Sequence, residues 1–123
     1  MTPFTRDSLS TVNSWRAARG MRPLRPDALP KIGLMVEGLA AGFLFETESP
    51  EVAILDSFIT NPEAPLRKRY RACQEILAAL GKLAAEKGIS RLVGFTDSRG
   101  VADMAARLGY ESRPSRLVFR EIA

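Results

Sequence analysis

The alternation of apolar and polar residues divides the chain into elements of two periods. Residues 7 to 19, DSLSTVNSWRAAR, repeat apolar side chains at helical spacing: Leu9, Val12, Trp15 and Ala18 share one face. Asp7 is the expected N-cap and Gly20 the stop. The next stretch holds Pro23, Pro26 and Pro30. That density excludes a long helix or a central strand, so an ordered connector is expected, with at most one short turn around Asp27 to Leu29. Ile32 to Glu37 and Leu39 to Thr47 then read as an antiparallel hairpin turning at Glu37-Gly38. Gly42, inside the second strand, marks a bulge or a close packing contact.

Val52 to Thr60, VAILDSFIT, is apolar on both faces. Strict alternation puts Val52, Ile54 and Phe58 on one face and Ala53, Leu55 and Ile59 on the other. A strand of that kind belongs at the centre of a sheet covered by helices. Leu66 to Lys87 follows as a long helix, with Tyr70, Cys73, Ile76, Leu77, Leu80, Leu83 and Ala84 on its apolar stripe and Gly88 at its end. Arg91 to Thr96 is a further strand, and Gly100 to Leu108 a helix capped by Asp97 or Ser98 and closed by Gly109. Tyr110 to Arg113 is extended, and Arg116 to Ile122 reads as a terminal strand. Antiparallel strands come first and a strand–helix–strand crossover follows, which makes strands 52–60 and 91–96 parallel. The expected class is α/β: one domain over residues 1–123, with a mixed, mostly antiparallel sheet around a central parallel pair.

Composition narrows the chemistry. The 123 residues include no histidine and one cysteine, Cys73. Histidine-dependent triads and dyads, an internal disulfide and a zinc site all drop out, and no metal is expected. Cys73 lies on the apolar stripe and reads as a structural thiol. No apolar run approaches the roughly 20 residues of a membrane-spanning helix, and MTPFTRDSLSTV lacks the design of a signal peptide, so the expected location is cytoplasmic, away from membranes.

The net charge of +4 directs attention to anions. Arg67, Lys68, Arg69 and Arg71 crowd the start of the long helix, where the positive end of the macrodipole disfavours cations. Nucleic acid is the weakest reading of this cluster, because aromatic interleaving among the arginines is thin, with Tyr70 and Tyr110 the only tyrosines, and no nucleic-acid motif is present. Asp56 interrupts the apolar run of the central strand. On an apolar face, desolvation would raise its pKa and suit it to proton transfer; a solvated cleft or an arginine partner is the alternative.

The order of elements, the strand-to-proline turn ILDSFITNP, the basic loop into a long helix and the late ARLGYE segment together resemble the acetyl-CoA-dependent N-acetyltransferase (GNAT) superfamily, from about Leu9 onward. W-x-x-x-x-G, P-L-x-x-D-x-LP and AAGFLF in the N-terminal half further resemble small phage or prophage members. The resemblance implies an acetyl-CoA or other acyl-CoA co-substrate and an unidentified amine acceptor, a small molecule or a protein. It implies that the two parallel strands splay apart and admit the pantetheine arm against the backbone of Phe58, Ile59 and Thr60. The pyrophosphate would sit at the start of the long helix, on a loop of pattern (Gln/Arg)-x-x-Gly-x-(Gly/Ala). Arg67 takes its first position, Lys68, Arg69 and Arg71 the variable ones, and Ala72 the last. Tyr70 occupies the glycine position, so either the cations substitute for amide contacts or the cluster is a solvated helix start.

In many members a tyrosine four residues before the late glycine serves as acid; here that place holds Ala105. Tyr110 is the nearest phenol, at a position that is mostly a structural aromatic in the family. Asp56 and Tyr110 are thus the two catalytic candidates. A non-catalytic accessory or interaction protein on the same scaffold is the alternative to an enzyme. The acceptor and the oligomeric state stay open, a homodimer among the options.

Overall fold

The computed structural model describes residues 1–96, 98–116, 118 and 120–122. Five strands form one sheet in the order β1 (Thr2–Pro3), β2 (Ile32–Val36), β3 (Ala40–Glu46), β4 (Val52–Thr60) and β5 (Arg91–Gly94). The first three pairings are antiparallel, and β4 pairs with β5 in parallel. Helix α1 (Leu9–Ala17) lies over one face; α2 (Leu66–Glu86) and α3 (Arg99–Arg107) lie over the other. The fold is a single-domain mixed α/β sheet flanked by helices, as the hydrophobic pattern predicts.

Each face has its own core. Leu44, Ala53, Leu55, Ile76, Leu80 and Ala84 pack between the sheet and α2. Val12, Trp15, Met35, Ala41, Phe43 and Ile59 pack beneath α1. The tight hairpin turn requires the positive φ of Gly38, +74°, and Leu39 closes it by donating to the Val36 carbonyl at 3.0 Å. The proline-rich connector contains one short turn, Pro26–Ala28, close to the expected place.

Several boundaries move. A single tight turn over Arg6–Ser8 precedes α1, and the cap position falls on Ser8, not Asp7; neither residue caps the helix through its side chain. Ala18 is exposed past the helix end instead of lining the core. β1 has no apolar pattern to announce it, being a two-residue Thr-Pro edge strand held by pairing with Leu34 and Met35. β5 stops at Gly94, two residues early. Ser98 is the cap of α3: its hydroxyl accepts from the Val101 amide at 3.3 Å. The strand expected over Arg116 to Ile122 falls partly outside the described residues, and the described ones among them form no strand.

The alternation along β4 also changes midway. Ala41 pairs with Ile59 and Phe43 with Asp56, so Ser57 and Phe58 together oppose the single residue Gly42. This is a β-bulge, and it inverts the parity of the strand. Ala53 and Leu55 face α2, yet beyond the bulge Phe58 faces α2 and Ile59 faces α1. The bulge overturns the two-face assignment drawn from strict alternation.

Candidate functional site

The bulge sits where the two parallel strands part. β4 and β5 pair from Val52↔Arg91 to Leu55↔Gly94, and among the described residues no pair follows. Asp56 is therefore the first residue of β4 past the last parallel pair, and Ser57 the next. Ser57 has φ +57°, alone among the described non-glycine residues in being positive. A left-handed serine costs about 1–2 kcal/mol, a strain that persists only where the surrounding structure enforces it. Part of the enforcement is Gly42: a Cβ there would lie 2.6 Å from the Phe58 ring, so the missing side chain makes room for the ring that the bulge turns over it. From Asp56 to Thr60 one backbone edge of β4 has no strand beside it among the described residues.

The chain then passes through Asn61 to Pro65 into α2. Asn61 organises the turn: its side chain donates to the Gly38 carbonyl at 2.9 Å and accepts from the Glu63 amide at 3.0 Å. The helix begins at Leu66 behind Pro65, with no side-chain cap and no acidic residue in its first turn. The Arg69 amide donates to the Pro65 carbonyl at 3.1 Å. Among the described residues the amides of Leu66, Arg67 and Lys68 have no backbone acceptor. Three free N–H groups at the positive end of a 21-residue helix form a ready seat for an anion.

Arg67, Lys68 and Arg71 are exposed, Arg69 and Tyr70 half-buried, and Ala72 is in the core. Tyr70 does not lie free at the glycine position; its hydroxyl accepts from Arg107 Nη1 of α3 at 3.3 Å. Phe58, Ile59 and Thr60 end β4 beyond its parallel pairing with β5, while Ile59 and Thr60 still pair with β3, and the chain leads from there toward this helix. Leu66, Phe95 and Val101 are large exposed apolar side chains at the same end of the sheet, at the start of α2, just past β5 and in the first turn of α3.

The two catalytic candidates differ in setting. Asp56 is exposed on the face of Phe43, its pairing partner, so the desolvated environment expected for it is not formed and the solvated alternative holds. Tyr110 is half-buried among the residues packed on the α2 core, and burial pushes its phenol above the usual range. A Cβ on Gly81 would lie 3.7 Å from its hydroxyl. Fifteen residues separate Gly81 from Leu66, which places that hydroxyl roughly 22 Å along the helix axis from the free amides. With Leu77, Ala78, Leu108 and Gly109, Gly81 and Tyr110 line a shallow groove of about 450 Å³ on that flank. Ala105, where the sequence resemblance leads one to expect a tyrosine, is half-buried against the α2 core. Cys73 is half-buried there too, its thiol pushed up by burial against the opposing pull of Arg19 and Arg69.

Three participants in this geometry escape sequence reading. Ser57 gives no signal, since serine has no preference for its conformation, though Gly42 marks the opposite side of the same bulge. Arg107 is one arginine of many until α3 brings it to Tyr70. Arg19, just past α1, reaches around the end of β4 and donates through Nη1 to the Thr60 carbonyl and through Nη2 to the Thr60 hydroxyl at 2.9 Å. Among the described residues no group of histidine, cysteine and acidic side chains could hold a metal ion, and no helix is long and apolar enough to cross a membrane.

No protein-family model and no curated protein matches the sequence. Solved structures match the fold. TTHA1254 from Thermus thermophilus superposes with a TM-score of 0.75 at 17% identity, covering 99% of this chain and 96% of that one. A protein described as a probable acetyltransferase superposes with a TM-score of 0.67 at 16% identity, covering 99% and 97%. An acetyltransferase from Trypanosoma brucei gives 0.69 at 9% identity, covering 98% and 97%. At these identities the likeness is one of fold: the chain shares the architecture of these proteins over nearly its whole length.

Proposed function

We propose that this protein is an acyl-CoA-dependent N-acyltransferase, with acetyl-CoA as donor and an amine as acceptor. The observation that carries the reading is the parting of β4 from β5 at the Ser57 bulge, opening beside an uncapped helix start with three free amides. These residues fit the donor. The free amides and the exposed Arg67, Lys68 and Arg71 suit a diphosphate. The unpaired edge of Asp56 to Thr60 suits an arm bearing amides, because each strand group left without a neighbour gains a hydrogen bond. Leu66, Phe95 and Val101 offer apolar cover at the same end.

The donor supplies an activated thioester, which an amine held in place attacks with little further assistance. Asp56, at the mouth of the opening and in contact with water, takes the proton that an ammonium acceptor must lose, directly or through a bound water. Ala105 offers no acid, so the departing thiolate leaves unprotonated by the helix that carries the tyrosine in relatives. The chain's own contribution is positioning, together with proton acceptance at Asp56.

Isothermal titration with acetyl-CoA tests the reading, with binding at micromolar to millimolar ligand expected; an absence of binding at millimolar acetyl-CoA overturns it. Asp56→Asn is expected to lower the rate of transfer to amines while leaving acetyl-CoA binding unchanged. Tyr70 at the glycine position and Ala105 at the acid position favour a second reading, a non-catalytic accessory protein of phage or prophage type on this scaffold. Acetyl-CoA binding with no transfer to any of a panel of amines and proteins supports that alternative.

A further inference from the structure

Two arginines from opposite layers of the molecule lie toward the end of β4, Arg19 bonded to Thr60 and Arg69 in the first turns of the helix that follows. Arg19 follows α1 on one face of the sheet, and Arg69 belongs to the first turns of α2 on the other. Ion pairs among the described residues join Arg25 to Asp27, Lys87 to Glu46 and Arg113 to Glu111, and none involves Arg19 or Arg69. Both guanidinium groups act on the Cys73 thiol, one helical turn beyond Arg69. Burial first, and the charge of Arg69 next, push Arg19 below the usual guanidinium range. Like charges near one thiol, neither ion-paired among the described residues, favour an anion beside them.

The hydrogen bonds show which donors remain. Nη1 of Arg19 donates to the Thr60 carbonyl and, at 3.4 Å, to the Trp15 carbonyl, while Nη2 donates to the Thr60 hydroxyl. A guanidinium carries five N–H groups. Those three bonds leave Nε–H and one Nη2–H, the parallel pair along one edge with which arginine grips a carboxylate or phosphate. Thr60 therefore fixes the head of Arg19 and leaves a working fork. Nε of Arg69 is buried and has no acceptor, a state that is costly unless a partner arrives. The position beyond the carboxyl end of a parallel strand, where neighbouring strands part, is also the usual ligand position in open α/β sheets.

We propose that Arg19 and Arg69 form a binding site for an oxyanion of the phosphate or carboxylate class at the end of β4. The Arg19 edge grips the anion, and the anion supplies the acceptor that Arg69 lacks. Arg19 lies outside the strand–loop–helix unit that carries the phosphate loop, so this site adds a cation from α1 to it. The oxyanion comes either from the donor's phosphates or from an anionic group on the acceptor; only the choice between these sources rests on the acyl-CoA reading.

The test is isothermal titration of the full chain with inorganic pyrophosphate, and separately with coenzyme A. Wild type is expected to bind pyrophosphate, and Arg19→Gln and Arg69→Gln each to weaken it at least tenfold. Arg25→Gln, which removes a paired surface charge, controls for net charge and is expected to change little. Arg19→Lys keeps the charge and a donor for Thr60 but loses the fork, and is expected to weaken binding as well. Should Arg19→Gln fail to give a cooperative melt, Arg69→Gln on a separate element decides. Parallel loss of coenzyme A affinity assigns the site to the donor; unchanged coenzyme A affinity, with pyrophosphate still binding beside saturating coenzyme A, assigns it to the acceptor. Wild type failing to bind pyrophosphate, or both glutamine variants binding as the Arg25→Gln control does, overturns the proposal. Pyrophosphate binding without acetyl-CoA binding sinks the acyltransferase reading alone, and the reverse result sinks this site alone.

Discussion

The two ends of the β4–α2–β5 unit are built by opposite rules. At the lower end the strands are paired, Ala53 and Leu55 are buried, and Leu80 and Ala84 of α2 close over them. The helix there stops in an ordinary way: Lys87 donates back to the Leu83 and Ala84 carbonyls at 3.1 Å and Gly88 takes φ +77°. At the upper end the strands part, a serine is left-handed, the helix starts uncapped with cations, and large apolar side chains face water. One continuous helix and one continuous strand thus carry stability at one end and unmet binding capacity at the other. Local rules broken together in one place are the expected mark of a functional site.

The comparison breaks most visibly in the core. Leu80 is fully buried, and Leu80→Ala is expected to cost about 2–5 kcal/mol by lost burial and a residual cavity. Urea denaturation reads this as a lower midpoint with an unchanged slope. A loss below about 1 kcal/mol would place the stability elsewhere. Next in size is Gly42→Ala, whose Cβ meets the Phe58 ring at 2.6 Å; overpacking of this kind costs about 1–3 kcal/mol. Combining it with Phe58→Leu is expected to recover part of the loss, since the two positions are in contact and their effects do not add. Additive losses in the double variant would mean that the ring does not rest on Gly42.

At the upper end the same kind of measurement is expected to run the other way. Replacing Arg67 and Lys68 by glutamate puts acidic residues where the helix dipole favours them, worth about 0.3–1 kcal/mol each. The variant should melt higher and bind acetyl-CoA at least tenfold more weakly. A variant that is less stable, or one that binds as tightly as wild type, would show that these cations are not held there for a ligand.

These effects also separate what the sequence makes legible from what it hides. β4 is read to the residue and α2 to within one, because long apolar runs bounded by Ser49-Pro50, Asn61-Pro62 and Gly88 leave few alternatives. The crossover follows from topology, and the basic helix start is plain in R-K-R-Y-R. The Ser57 conformation is invisible, since a bulge is a property of two strands in register and not of either one. Arg19 is equally hidden: 41 residues separate it from Thr60, and only the packing of α1 against β4 brings them together. The half-burial of Tyr110, and the water around Asp56, likewise depend on what the other layer covers.

The smallest expected effect concerns the two acids that burial weakens. The Cys73 thiol is pushed up by burial, with Arg19 and Arg69 opposing, and the Tyr110 phenol is pushed up by burial. In both, the folded protein holds its proton more tightly than the unfolded chain, whose thiol and phenol titrate near about 8.5 and 10. Below those values both contributions to stability are fully present. As pH rises through them toward the higher folded values, the unfolded chain releases protons that the folded one retains, and stability falls. Urea midpoints between about pH 8 and pH 11 should therefore decline in wild type and decline less in Cys73→Ala and Tyr110→Phe. Arg19→Gln should steepen the decline, because it removes a cation that favours the Cys73 thiolate. A slope unchanged by all three variants would place the alkaline loss on the surface lysines and leave the comparison of the two ends to the mutations above.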